Sequence, residues 1–388
     1  MKETEKLAAD YRLPKSVLRW VAVGVTVSSA IVIVITIFSG VTWSDLERLG
    51  YLPFGLAAAA SVARLLVQTL RFRVIASGLA DDPKPELGGA TIARMGSEFI
   101  AMSTPSEVGG PVLRAAWLSG KGVEGGKSLW IGYFEVLIEI YVGSGFGLVA
   151  AAYALSKGAL AIGSTIAVIA TVLIVGYTLV FIVPAFRSLK VPRHVFSLAS
   201  LLLGAPRATA LYLRAVVGSL NFSLAAREIL NRRTLPVVVK AVGLTILEDV
   251  LEGLALWLVL NAAGLKIDIF SATVAAFGVL TIAALPVSIG GSGITEVSMQ
   301  LYLSSVYGFS SWAAIVLWRI ASFQVVLAVS GVAFLLFTRK ETGSKKADIA
   351  ERKEPDHEAS DGHPSAQGSL HVGSQAAEPS TQMRFEAS

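Results

Sequence analysis

The sequence PSEVGG at residues 105–110 recurs as PVSIGG at residues 286–291, and each copy interrupts an apolar stretch, 87–119 in the first case and 268–307 in the second. Proline ends a helix because it lacks the backbone N–H and collides with the preceding turn, while paired glycines adopt conformations that other residues avoid. Each apolar stretch is therefore predicted to form two short helices joined by a broken tip.

The chain as a whole has the composition of a membrane protein. Of its 388 residues, 54% are hydrophobic and 16% are charged, whereas soluble domains carry about 25% charged residues. A membrane-spanning helix needs about 20 mainly apolar residues. The predicted fold class is an all-α polytopic membrane bundle with two broken re-entrant hairpins and six full spans, at about 18–38, 51–70, 128–153, 161–183, 236–262 and 311–337.

The offset of 181 residues between the two tips also relates the spans on either side of them. The chain is therefore predicted to contain two repeats, about 51–153 and about 236–338, each in the order span, broken hairpin, span. The alternative is that the two tips are independent kinks that serve packing.

Lysine and arginine positions orient the bundle, because short cytoplasmic loops carry an excess of both. With the N-terminal segment 1–17 in the cytoplasm, 20 of these residues fall inside and 3 outside. The first hairpin then enters from the cytoplasm, flanked by Arg71 and Arg73, and the second enters from outside after the loop 261–268. The repeats are thus predicted to be inverted, as in transporters whose broken helices line a substrate cavity.

The membrane domain is predicted to cover residues 18–338. Its longest connection, 187–235, is basic and cytoplasmic, and its apolar spacing suits either a helix on the anionic inner leaflet or a helical linker packed against the bundle. Residues 339–388 have hardly any large apolar side chains and are predicted to be a disordered cytoplasmic tail. The predicted localisation is the cell membrane, multi-pass, with both termini in the cytoplasm.

Several functional classes are excluded by what the sequence lacks. It has no cysteine and only four histidines, three of them in the polar tail, so no metal or cofactor is expected. The run Gly290-Gly-Ser-Gly293 is not followed by Lys-Ser/Thr and is no P-loop, and no Ser–His–Asp set can be assembled. The net charge of +5 reflects loops that face anionic lipid rather than nucleic acid. The chain is not expected to be an enzyme.

Charged residues inside the predicted membrane domain are the candidate site, since each costs about 2.5–3.5 kcal/mol at the bilayer centre. Glu135 and Glu139 lie one helical turn apart on the third span, and Glu248 and Glu252 do the same on the fifth, beside Asp249. Further charges surround the first tip or follow the second; these are Arg94, Glu98, Glu107, Arg114 and Glu296.

Two interpretations of these charges remain open. In one, a polar cavity between the hairpins accepts a charged headgroup, and Arg94, Arg114 and Arg319 hold its phosphate by charge-assisted hydrogen bonds. In the other, the charges neutralise one another as buried pairs. The repeat offset favours Arg319 with Glu139 as such a pair.

Carboxylates outnumber basic residues within the bundle, and an unpaired carboxylate there should take up a proton. Coupling to protons through Glu135, Glu139 or Glu252 is therefore a further hypothesis. The candidate substrate-binding residues taken together are Arg94, Glu98, Pro105, Gly109, Gly110, Arg114, Glu135, Glu139, Glu252, Pro286, Gly290, Gly291, Gly293, Glu296 and Arg319.

Two motifs resemble the membrane region of lysylphosphatidylglycerol synthases and the stand-alone flippase-like proteins related to it. They are Thr104-Pro105-x3-Gly109-Gly110-Pro111-x2-Arg114-x3-Leu118 and the more specific Leu285-Pro286-x3-Gly290-Gly291-x-Gly293-x2-Glu296, with Arg319 following in the last span. The similarity covers about residues 15–338. One departure is Glu135-Val136-x2-Glu139 in the third span, where the family often has Glu-Arg-x2-Asp.

The resemblance implies a protein that binds polar lipids and moves them between leaflets. The aminoacyl-transferase chemistry of the synthases is not expected, because the polar segment after residue 338 is too short for that domain. The leading hypothesis is a translocase for a phosphate-bearing lipid, either a phospholipid or a polyprenyl-phosphate-linked carrier. The alternatives are an ion-coupled transporter of a small polar solute and a membrane enzyme that modifies headgroups. Membrane lipids are the expected partners, and a homo-oligomer is left open.

Overall fold

The computed structural model describes residues 15–80, 86–104, 109–183, 223–224, 226–227, 231–285 and 288–351, and every regular element in these ranges is a helix. The all-α prediction is confirmed for this part of the chain. The compact unit ends at Lys340, and the site lies within it. Parts of the predictions lie outside the described residues, namely 1–14 of the N-terminal segment, most of the connection 187–235, and 352–388 of the tail.

The first half of the described chain contains seven helices: α1 Lys15–Phe38, α2 Trp43–Leu49, α3 Tyr51–Leu79, α4 Leu87–Met102, α5 Gly109–Gly120, α6 Gly125–Ser156, and α7 Leu160–Tyr177, which continues as a π-helical turn over Thr178–Ile182. The second half contains a 3-10 turn at Arg232–Thr234 and then α8 Leu235–Ala262, α9 Ile269–Ala283, α10 Ile294–Tyr307, α11 Trp312–Arg319, a π-helical turn Ile320–Gln324, and α12 Val325–Glu351. Helix α12 thus runs past the predicted tail boundary at residue 339.

Four segments of the described chain are long and apolar enough to cross a membrane: Tyr51–Leu79, Gly125–Ser156, Leu160–Ile182 and Trp312–Arg339. A fifth candidate is broken, because α1 from Ala22 meets α2 at 91°. Helix α8 is 28 residues long, but every 18-residue window in it contains three acidic residues. The molecule is therefore a multi-pass membrane protein, and the count of six full spans stays a prediction.

The order of helices is the same in the two halves. In each, a long helix (α3 or α8) is followed by two short ones and then by another long segment, which is α6 in the first half and the continuous helical segment Trp312–Arg339 in the second. The short helices α4, α5, α9 and α10 have 16, 12, 15 and 14 residues, which gives lengths of about 18–24 Å. None of them alone matches a hydrocarbon core of about 30 Å.

Helices α3 and α8, the first members of the two sets, pack along each other in opposite directions. Arg64 of α3 pairs with Glu252 of α8, and Arg71 pairs with Glu248. Farther along α3, a Cβ added at Gly78 would lie 2.5 Å from the side chain of Val237. Residue numbers thus rise along α3 as they fall along α8, so the two helices are antiparallel.

Small residues allow the helices to approach closely, as is common between helices in membranes. A Cβ at Gly132 of α6 would lie 2.7 Å from the carbonyl oxygen of Pro111 in α5. A Cβ at Gly253 of α8 would lie 2.6 Å from Cα of Thr273 in α9. These contacts place α6 directly against α5, and α8 directly against α9.

Candidate functional site

A cavity of about 270 Å³ lies between the two helical hairpins. The α4–α5 hairpin and α6 form one wall, and the second tip with α9 and α10 forms the opposite wall. Polar groups on the first wall and on the neighbouring α3 are Arg64, Arg94, Glu98, Arg114, Tyr133, Glu139 and Ser144, and those on the second are Thr281, Ser288, Gly290, Gly291 and Thr295. The cavity therefore combines charges from one hairpin with backbone and hydroxyl groups from the other.

Three arginines at this wall, two of which line the cavity, converge on one carboxylate. Glu135 is fully buried, and its Oε1 accepts hydrogen bonds from Arg71 Nη2 and Arg94 Nε, both at 2.9 Å. Its other oxygen, Oε2, lies 3.2 Å from Nε of Arg114. We call Arg71, Arg94, Arg114 and Glu135 the arginine cluster. It joins helices α3, α4, α5 and α6 at a single point.

Further carboxylates surround the arginine cluster. Glu98 accepts a hydrogen bond of 2.7 Å from Arg94 Nη1, and Glu248 accepts one of 2.6 Å from Arg71 Nη1. Glu139 contacts Arg71 and lies 3.7 Å from Nη2 of Arg94. The Glu139 side chain is 27% exposed and lines the cavity. The cluster thus reaches the cavity through Arg94, Arg114 and Glu139.

Helical spacing explains how these charges meet. Residues four apart lie on one face of a helix, which aligns Arg94 with Glu98 on α4 and Glu135 with Glu139 on α6. Burying a charge in the membrane interior is expensive unless an opposite charge is in contact with it. The shared partners around the arginine cluster supply that contact, so the cluster holds the four helices together while its edge stays at the cavity.

The second tip has its own ion pair. Arg319 Nε lies 2.9 Å from Glu296 Oε1, and Arg319 Nη2 donates to the carbonyl oxygen of Gly290 at 3.1 Å. Glu296 Oε2 in turn accepts from the backbone N–H of Gly293 at 2.7 Å. Gly290, Gly291 and Gly293 have φ angles of 58°, 68° and 89°, which favour glycine. Arg319 therefore holds the backbone of the tip.

This arrangement corrects one prediction. Arg319 was expected beside Glu139, but its carboxylate partner is Glu296, since α11 packs against α10 at the second tip and Glu139 faces the arginine cluster. Neither Arg319 nor Glu296 lines the cavity.

Some of the remaining predicted site residues line the cavity, and others form ion pairs or helix contacts behind its wall. Arg94, Glu98, Arg114, Glu139, Gly290 and Gly291 line the cavity. Glu135 lies behind it, and Glu252 is 3.4 Å from Arg64. Gly109 and Gly110 allow α5 to approach α4, where a Cβ at Gly110 would lie 2.8 Å from Cβ of Ala101. Pro105, Glu107 and Pro286 lie outside the described residues.

Sequence reasoning missed Arg64 and misplaced Arg71. The predicted span 51–70 leaves Arg71 in a cytoplasmic loop, but α3 continues to Leu79 and Arg71 is fully buried. A signal was present, because Arg64, Gln68 and Arg71 follow the i, i+4, i+7 spacing of one helical face. Gln68 donates to Glu248, so this face of α3 meets the carboxylates of α8.

No group of three or more His, Cys, Asp or Glu side chains in the described part of the chain is arranged to hold a metal ion. The fold and the site define a multi-pass helical membrane protein with a charged cavity between two hairpins. The family model of the lysylphosphatidylglycerol synthase TM region matches residues 21–330, and the chain belongs to that family. The predicted resemblance is confirmed. A search of curated proteins found no match, and neither did a search of solved structures.

Proposed function

We propose that this protein is a lipid translocase of the cell membrane, which moves a phosphate-bearing polar lipid between leaflets. The headgroup passes through the cavity while the acyl chains stay in the bilayer. Membership of a family with lipid-handling membrane regions supports this function. The lipid undergoes no chemical change, so the protein acts as a transporter rather than as an enzyme.

The observation that carries the proposal is the cavity itself. Its volume of about 270 Å³ lies just below the range of about 300–1,000 Å³ for small-molecule sites. This space suits one headgroup and is too small for a whole lipid. Arg94 and Arg114 line it, and guanidinium is the side-chain group best matched to phosphate oxygens.

The geometry gives the phosphate a way to bind. Arg94 Nη2 is 3.7 Å from Glu139, which is longer than a hydrogen bond. Glu139 is also the most exposed carboxylate in the set around the arginine cluster. A phosphate oxygen can therefore replace Glu139 at Arg94, while Glu98 and Glu135 keep that arginine in place. The cavity thus exchanges one anionic partner for another.

The antiparallel packing of α3 and α8 supports an inverted repeat, since these helices hold the same place in the two sets. In such transporters the hairpins of the two halves reach the site from opposite sides of the membrane. This geometry also suits the second candidate function, an ion-coupled transporter of a small polar solute. The cavity volume fits such a solute as well, and the two functions are separated by experiment.

The test is a leaflet assay on the purified protein in vesicles that contain a fluorescent phospholipid. We expect wild-type protein to exchange the lipid between leaflets faster than empty vesicles do. Arg114→Lys keeps the charge but loses the planar guanidinium. Because a hydrogen bond to a charged group contributes about 1.5–3 kcal/mol, we expect the rate to fall by about tenfold or more.

The matched control is Arg48→Lys, since the Arg48 side chain is 80% exposed and remote from the cavity. This variant should keep the wild-type rate. If Arg114→Lys does not fold, Tyr133→Phe takes its place in the assay. It removes a single hydroxyl group from the cavity wall and should also lower the rate of lipid exchange. Wild-type protein that exchanges no lipid but moves a polar solute would overturn the translocase in favour of the second candidate.

A further inference from the structure

Among the described residues, one buried carboxylate near the arginine cluster has no hydrogen-bond or ion-pair partner. Asp249 of α8 is 4% exposed, and its Oδ2 is buried without a hydrogen bond. Glu248, the residue before it, is ion-paired with Arg71, and Glu252, about one helical turn after it, is ion-paired with Arg64. The arginines near Asp249 are thus already ion-paired with other carboxylates.

The helices around Asp249 do not supply a free counter-charge. The charged groups that act on it most strongly include Glu248, Arg71, Glu139 and Arg64. Two of these four are acidic. Arg71 is shared by three carboxylates, since it contacts Glu139 as well as Glu135 and Glu248. An additional anion beside this arginine is therefore poorly compensated.

The other elements packed against α8 do not change this balance. Helix α9 has no ionisable side chain. Helix α11 contributes Arg319, which is paired with Glu296. The 3-10 turn before α8 contains Arg232 and Arg233, about 24 Å from Asp249 along the helix axis. The arginine cluster with its surrounding carboxylates, the Arg64–Glu252 pair and Asp249 together contain more acidic than basic side chains. The six carboxylates are those of Glu98, Glu135, Glu139, Glu248, Asp249 and Glu252, and the four arginines are Arg64, Arg71, Arg94 and Arg114.

We propose that Asp249 takes up and releases a proton during each transport cycle, so that lipid movement is coupled to the proton gradient; this inference rests on the proposed translocase function. In the loaded state a proton from water on one side converts the carboxylate into a neutral carboxyl group. In the empty state the proton leaves to the other side.

A short chain of contacts connects Asp249 with the cavity. Asp249 and Glu248 are neighbours on α8, Glu248 is held by Arg71, and Arg71 also contacts Glu139 on the cavity wall. Protonation of Asp249 removes one negative charge from this chain. The cavity then repels an anionic headgroup less, so the protonated protein binds the phosphate more tightly. Proton and headgroup thus favour each other's binding.

The experiment measures how a fluorescent anionic phospholipid distributes between the leaflets of vesicles with a pH difference of one unit, while potassium and valinomycin clamp the electrical potential. Transfer of one proton per lipid allows an asymmetry of up to about tenfold. We expect wild-type protein to build an asymmetry and Asp249→Asn to equilibrate the probe without any. Asp268→Asn, which changes an exposed cap of α9, should behave like the wild type.

The outcomes are distinguishable. Wild-type protein that equilibrates the probe without asymmetry overturns proton coupling but leaves the translocase standing. An asymmetry that survives in Asp249→Asn rejects Asp249 as the coupling group. If the wild type moves no lipid, the translocase fails, and infrared difference spectra recorded while the pH is lowered decide whether Asp249 takes up a proton. The wild-type spectrum must contain the C=O band of a buried carboxyl group that is missing from the spectrum of Asp249→Asn, or of Asp249→Ser if the asparagine variant does not fold.

Discussion

Single residues near the cavity have two kinds of partner. Arg319 and Glu296 bind the backbone of a glycine-rich tip, whereas Arg94 and Arg114 share the carboxylate of Glu135 and still face the cavity. The sequence could identify all of these side chains as unusual, because each is charged within an apolar domain. It could not assign their partners, since a salt bridge depends on which helices are neighbours in space.

The arginine cluster gives a prediction at the residue scale. Glu135→Gln keeps the size of the side chain but removes the charge that three buried guanidinium groups share. Breaking a buried pair in this way costs about 3–5 kcal/mol. We expect a large fall in the unfolding temperature of the detergent-solubilised protein, measured by thermal denaturation.

The control for this experiment is Glu124→Gln. Glu124 precedes α6, is exposed and makes no side-chain cap hydrogen bond, so its replacement should leave the unfolding temperature unchanged. Equal stability of Glu135→Gln and the wild type would mean that the cluster does not hold the four helices together.

At the scale of the helices, the break motifs and their order along the chain follow from proline and glycine chemistry. The interruptions after α4 and α9 fall where the two six-residue motifs lie. The ends of the long helices were less predictable. The length of the apolar stretch predicts a span over 51–70, which stops before Arg71. Helix α3 instead continues to Leu79, since Glu135, Glu139 and Glu248 compensate the buried charge.

The close approach of α8 and α9 gives a prediction at this scale. Gly253→Ala places a methyl group against the side chain and backbone of Thr273, so the two helices must separate. Overpacking of this kind costs about 1–3 kcal/mol. We expect the variant to unfold at a lower temperature than the wild type.

Helix α8 also provides the matched control. A Cβ at Gly243 meets nothing within 4 Å, and alanine is favoured over glycine in a helix by about 1 kcal/mol. Gly243→Ala should therefore be as stable as the wild type or more so. If both variants lost the same stability, the cause would lie in the helix itself and not in its contact with α9.

At the scale of the whole molecule, the site is built from both halves of the chain. The first half supplies the charges, and the second supplies the glycine-rich tip and the α8 carboxylates that engage α3. The family match over residues 21–330 covers both halves. The inverted arrangement and the orientation of the chain remain predictions, and both can be tested without removing any native cysteine.

Lys121 follows α5, and Lys266 lies between α8 and α9. We expect Lys121→Cys to react with a membrane-impermeant thiol reagent only from the cytoplasmic side and Lys266→Cys only from the outside. Labelling is measured on intact cells and on inverted membrane vesicles. The cysteine-free wild type is the background control. Reaction of both cysteines from one side would contradict the predicted orientation.

The sequence by itself determined that this is a helical membrane protein of one family, with two apolar stretches interrupted by proline and glycine and an unusual number of charged residues within an apolar domain. Composition and the proline–glycine breaks act locally, so they can be recognised without a structure. The tertiary structure alone decided which charges meet. Arg71 joined the site, Arg319 moved to the second tip, and Asp249 was left without a partner, because pairing in a low-dielectric interior depends on distances between helices that are far apart in sequence.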